Sequence, residues 1–153
     1  MKGKLSWSIF WALVGIFVVI IGIFAIAAFV PAFRGDLFLW FLIISGAAFF
    51  LLGVALIVLT VREKVKGILK KFLLLTGASA VGIFISVLLH NVIYGLFIHF
   101  FGADFWDRIG LGDEPFFFIM AIFICPIGFL VGAVGSIVLA IKNKQVKQSS
   151  QSI

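Results

Sequence analysis

His90 is the residue in this chain best suited to chemistry. Imidazole exchanges protons near neutral pH. It lies in an apolar run, Phe72 to Phe101, that contains no Asp, Glu, Lys or Arg. An ionisable group in such a run must face protein or water, which marks a candidate site. Asn91 is adjacent and Tyr94 follows one helical turn later. At about 100° per helical residue, Thr76, Ser79, Ser86, His90 and Tyr94 fall within roughly 80° of one another. They form one polar stripe down one face, and His99 lies off it. Asp113 and Glu114, in the loop that follows, are the acids expected near His90. His90, Asn91, Tyr94, Asp113 and Glu114 therefore form a candidate ligand or proton site. The plainer reading is a neutral His90 bonded to Ser, Tyr or a carbonyl on a neighbouring helix, a contact of about 0.6 to 2 kcal/mol.

Other chemistries fit less well. A bis-histidine haem needs ligands that converge, but His90 and His99 share one run and point apart. A metal site from these histidines and the loop acids has no recognisable ligand spacing. Cys125 is the only cysteine, which excludes an intramolecular disulfide, a dithiol redox pair and a cysteine-rich metal site. It reads as a small packing residue. Phosphate-binding glycine loops, nucleophile elbows and zinc-protease motifs are absent from the sequence. No span holds a carboxylate on which a coupled transporter could be built. The chain is expected to be no enzyme, and to use no cofactor.

The elements that must position His90 follow from composition. The 153 residues are 64% hydrophobic and 12% charged, so lipid must solvate much of the chain. Crossing about 30 Å of hydrocarbon takes about 20 helical residues. Four apolar runs qualify, at about 7–30, 37–61, 72–95 and 116–141. They lack the alternation of a membrane barrel strand, and helices satisfy their own backbone in lipid. The expected fold is all-α: an integral membrane, four-transmembrane-helix antiparallel bundle forming one domain, 1–141, with a polar tail, 142–153, that frays. The third run is too long for one upright span. It is expected to break at Gly95 and continue as an outer interfacial segment, 96–110, with Phe97, Phe101, Phe105 and Trp106 toward lipid.

Ten of the twelve basic residues lie in the amino-terminal segment, the middle loop and the tail; only Arg34 and Arg108 lie in the other loops. The positive-inside rule then places both termini in the cytoplasm. The middle loop, Arg62 to Lys71, fits contact with anionic lipid heads. Basic and aromatic residues do not interleave on any surface in a way that suggests nucleic acid. The expected location is the plasma (cytoplasmic) membrane of a prokaryote.

Small residues recur at heptad spacing where helices can approach closely. Gly15 and Gly22 follow Ser8 in the first span, and Gly46 and Gly53 precede Thr60 in the second. In the fourth, Ala121, Cys125, Gly128, Gly132, Gly135 and Ser136 share an arc of about 100°. Asp36 is expected to cap the second helix, and Asp113, Glu114 and Pro115 to open the last. Pro31 should end the first helix and Pro126 kink the last. Gly35-Asp36 and Gly112-Asp113, with Ile57-Val58-Leu59 and Ile137-Val138-Leu139, hint at a parallel duplication of a two-helix hairpin.

Three functions fit these features. The first is a non-enzymatic subunit or scaffold that packs with other membrane proteins or as a homo-oligomer. The second is a small transporter or permeation module using the Thr76–Tyr94 stripe. The third is a haem-, quinone- or lipid-binding membrane component anchored by His90.

Overall fold

The computed structural model describes residues 4–30 and 35–149. All regular structure among them is helical. Four long helical stretches are apolar and long enough to cross a membrane. Helix α1 spans Lys4–Phe29, α2 Asp36–Arg62 and α3 Gly67–Phe101. A single turn, α4 (Phe105–Arg108), follows. The last stretch begins with α5 (Pro115–Ile119), passes through a π-helical turn (Met120–Ile124) and continues as α6 (Cys125–Ser149). Pro31 and Arg34 lie outside the described residues, so the expected end of the first helix at Pro31 is not addressed.

Several boundaries differ from the sequence reading. Helix α3 does not break at Gly95; it runs unbroken for 35 residues. Glycine lowers helix propensity by about 1 kcal/mol at most, and the apolar faces on either side offset that. The helix ends instead at Gly102, whose φ of +98° only glycine adopts readily. Arg108 Nη2 then donates to the Phe101 carbonyl at 2.6 Å, satisfying one of the orphan acceptors at the helix end. The polar tail is not frayed up to Ser149, because α6 continues through it. Asp36 is not the cap of α2. Gly35 holds that position, and Asp36 sits in the first turn, where a negative charge suits the helix dipole.

Pro126 acts through the turn before it. The Cys125 N–H donates to Met120 O, five residues back, which defines the π turn. Proline has no N–H and crowds the preceding carbonyls, and the wider turn accommodates both.

Helix α3 packs against both α2 and α6, and α1 packs against α2. Glycine makes both α3 contacts close. A Cβ built on Gly77 would lie 2.8 Å from Ile57 Cγ1 and 3.0 Å from the Gly53 carbonyl. A Cβ on Gly132 would lie 2.5 Å from Thr76 Oγ1 and 2.7 Å from Thr76 N. Lipid tails are as apolar as leucine, so helix association in a bilayer depends on this kind of close packing. Phenylalanines join α1 to α6: Phe17 stacks on Phe129 at 4.5 Å between ring centroids, and Phe49 lies beside both. Phe10, Leu13, Leu56, Leu73 and Phe129 are buried in the shared core.

At the other end of α1 the backbone amide of Ser6 donates to Glu63 Oε2 at 3.2 Å, and its hydroxyl donates to the same oxygen. Glu63 caps α2, so this contact ties α1 to α2. The Ser6 hydroxyl, opposed by desolvation and aided by the Ser6 and Leu5 amides, holds the Glu63 carboxyl below its ordinary value of 4.5. A depressed carboxyl stabilises the fold above its unfolded pKa and loses that contribution as pH falls through its folded value. Thermal unfolding of detergent-solubilised protein should therefore weaken as pH drops below about 4.5, and Glu63→Gln should flatten that acid limb. An acid limb unchanged in Glu63→Gln would remove this contact from the account.

Candidate functional site

The site lies where α3 meets the start of α5. His90 comes from α3, and Asp113 and Glu114 come from the loop that opens α5. Their placement has a local cause. Glu114 is the N-cap of α5: its Oε1 accepts from Phe116 N at 2.9 Å, and its Oε2 accepts from Phe117 N at 3.0 Å. Pro115 follows at the first helical position, where its missing N–H is no loss. Asp113 Oδ1 in turn accepts from Glu114 N at 2.7 Å. Glycines at 110 and 112, both at positive φ, turn the chain into this loop.

His90 fits between these acids. Its Nδ1 lies 3.1 Å from the Glu114 carbonyl and 3.4 Å from Glu114 Oε2. Its Nε2 lies 3.6 Å from Asp113 Oδ2. Both ring nitrogens thus face acceptors, and a neutral imidazole, which carries one N–H, can donate to only one side at a time. Glu114 is buried at 5% exposure, whereas the Asp113 side chain is half exposed. One face of the site thus meets water while the other is sealed.

Aromatic rings close the remaining sides. The Phe118 ring lies 5.8 Å from the imidazole, and the Tyr94 ring 6.4 Å. Trp106 stacks on Tyr94 at 5.9 Å and donates from Nε1 to the Tyr94 carbonyl at 3.4 Å. Trp106 is 6% exposed, so it does not face lipid as its place in the 96–110 segment suggested. The turn α4 folds back onto α3 because the indole finds both a stacking partner and an acceptor there. Nothing in the spacing of residues 102–112 encodes that return; a tryptophan among Gly102, Gly110 and Gly112 is the only hint.

The other expected site residues divide. Asn91 does not join His90. It is exposed, and its Nδ2 donates to the Val87 carbonyl one turn back at 2.8 Å. Thr76, Ser79 and Ser86 are buried. Thr76 Oγ1 donates to the Phe72 carbonyl at 2.9 Å and lies where a Cβ on Gly132 would fall. Ser79 stands in the same relation to Gly128, and Ser86 lies beside the Cys125 thiol. These hydroxyls lie in a tight contact between α3 and α6. His99 is exposed on another face. Among the described residues, no group of His, Cys, Asp and Glu is arranged to hold a metal ion.

Comparison with protein-family models, with characterised proteins and with solved structures finds no match to this chain. Its function must therefore be argued from its own residues.

Proposed function

We propose that this chain is a non-enzymatic subunit or scaffold of a membrane assembly, packing with other membrane proteins or with a second copy of itself. The observation that carries this reading is a contrast between glycines. Gly53, Gly77, Gly128 and Gly132 are all in close contact within the chain. Gly15 and Gly22 are not: a Cβ on either meets nothing within 4 Å. Beside Gly15 lies an open apolar groove between α1 and α2, lined by Ala12, Ile16, Phe41, Ile44 and Ser45 and with a volume of about 500 Å³. Small residues with no partner among the described residues permit close approach by another helix.

In this reading the four spans run antiparallel, and both termini lie in the cytoplasm of a bacterial or archaeal plasma membrane. The bias of ten basic residues to one set of loops supports that orientation.

The test is Gly15→Ile combined with Gly22→Ile. Neither added side chain meets the chain's own atoms at its Cβ, so the folded protomer should keep its thermal stability. The native mass of the assembly in nanodiscs should fall. An assembly mass unchanged by the pair would refute the use of this face, and a wild-type protein that is a lone monomer at every protein-to-lipid ratio would refute self-association and leave another membrane protein as the partner.

A second reading is favoured by the His90 geometry. The imidazole sits between a sealed carboxylate and a wet one, an arrangement suited to accepting a proton at the surface of a bundle. His90→Phe should then abolish any proton flux through liposomes containing the protein. Equal flux in wild type and variant would end that reading and leave His90 as a tie between α3 and α5.

A further inference from the structure

A layer of hydroxyls lies at the opposite end of the bundle from His90. Phe10 on α1, Leu56 on α2, Leu73 on α3 and Ala133 on α6 belong to one core cluster. Ser6 precedes Phe10 by one turn, Thr60 follows Leu56 by one turn, and Ser136 follows Ala133 by three residues. Residues three or four apart share a helix face. The next layer of the core on three helices is therefore Ser6, Thr60 and Ser136, all at 0% exposure. Helix register agrees. Gly77 of α3 lies against Ile57, and Phe72 of α3 lies against Gly135. Thr60, three residues beyond Ile57, and Ser136, next to Gly135, thus both reach the level of Phe72 and Leu73.

Two of these hydroxyls are unpartnered. Thr60 Oγ1 and Ser136 Oγ are buried with no hydrogen-bond partner among the described residues. A buried hydroxyl without a partner is costly and calls for an explanation. Bonding back to the helix carbonyl is open to such groups, as Thr76 shows with Phe72, yet neither uses it. Ser6, the third hydroxyl, is engaged by Glu63.

We infer that this layer is an internal hydration site, in which water bridges the Thr60 and Ser136 hydroxyls beneath the Ser6–Glu63 contact. Water fits because each hydroxyl both donates and accepts, and water returns both functions. An internal water needs two to four polar partners, and this layer supplies them. A cation would match only the acceptor half of each hydroxyl. Arg62, Lys64 and Lys66 also flank Glu63 in sequence and oppose positive charge at this end.

Radiolytic footprinting of the intact protein in nanodiscs tests the site, because hydroxyl radicals born from bound water oxidise the side chains beside it. Leu56 and Leu73 should be oxidised several-fold faster than Leu13, which is equally buried but belongs to the apolar layer above Phe10. Equal rates at the three leucines would overturn the inference. A second arm compares Thr60→Val, Ser136→Ala and the double variant by thermal unfolding. If water bridges the two, each single substitution lowers the melting temperature, and the double falls by less than their sum. A melting temperature raised by Thr60→Val means the hydroxyl was unsolvated and removes the site. A sodium-dependent melting temperature lost in Thr60→Val also overturns it, in favour of a cation.

Discussion

Gly132→Ala is expected to destabilise the protein by about 1–3 kcal/mol, the usual range for overpacking a tight contact. Elsewhere in a helix the same change is favourable by about 0.5–1 kcal/mol, because alanine loses less backbone entropy than glycine. The sign reverses here because of what the methyl meets. It would lie 2.5 Å from Thr76 Oγ1, 2.7 Å from Thr76 N and 3.0 Å from the Phe72 carbonyl. Two of those atoms are backbone and cannot rotate aside. Helices α3 and α6 must separate, and the separation loosens Gly128 over Ser79 and Gly135 over the Phe72 ring as well. In a bilayer no gain in water entropy offsets the lost contacts. Gly15→Ala is the control, since its methyl meets nothing within 4 Å. Thermal unfolding in one detergent should show Gly132→Ala well below wild type and Gly15→Ala at or above it. Equal melting temperatures for the two variants would contradict the close α3–α6 contact.

Glu114→Ala is expected to cost about 2–4 kcal/mol, a helix cap plus newly unpaired buried amides. Its carboxylate accepts from the Phe116 and Phe117 amides and also lies 3.4 Å from His90 Nδ1. At 5% exposure, water cannot replace it at those amides without opening the loop. The first turn of α5 should then fray, and hydrogen exchange at Phe116 and Phe117 should accelerate. Glu114→Gln keeps an acceptor for the amides and removes only the charge, so it should recover most of the loss. Asp113→Asn should change stability little, because that side chain is half exposed and its Oδ1 acceptor survives. Slow exchange at Phe116 and Phe117 in Glu114→Ala would show that the cap does not hold α5.

The helical membrane character of this chain was legible from residue order alone. Four runs without a charged side chain, each long enough to span hydrocarbon, leave helices as the simplest solution, and four apolar helices are present. The Pro115 start of the last helix was legible too, because capping chemistry is local. The two faces that meet between α3 and α6 were legible as well, one as a polar stripe and the other as an arc of small residues; Thr76 and Ser79 lie against Gly132 and Gly128, where the neighbouring helix lacks a Cβ.

Other features were decided by contacts between residues distant in the chain. Helix α3 passes through Gly95, since helix propensity is weak beside the packing of both flanking turns. Asn91 turned to its own helix while His90 met Glu114, though the two residues are adjacent. The indole of Trp106 left the lipid face because Tyr94 offered a ring and a carbonyl twelve residues away. Glu63 met Ser6 across 57 residues, a contact that no local spacing encodes. Residue order by itself thus determined which segments are helices and which faces are smooth, because both follow from side chains within a few turns. Only the tertiary structure decided which acids His90 meets, which glycines are covered and which hydroxyls are left over. Those depend on helix register and loop path, which an apolar alphabet this narrow does not encode locally.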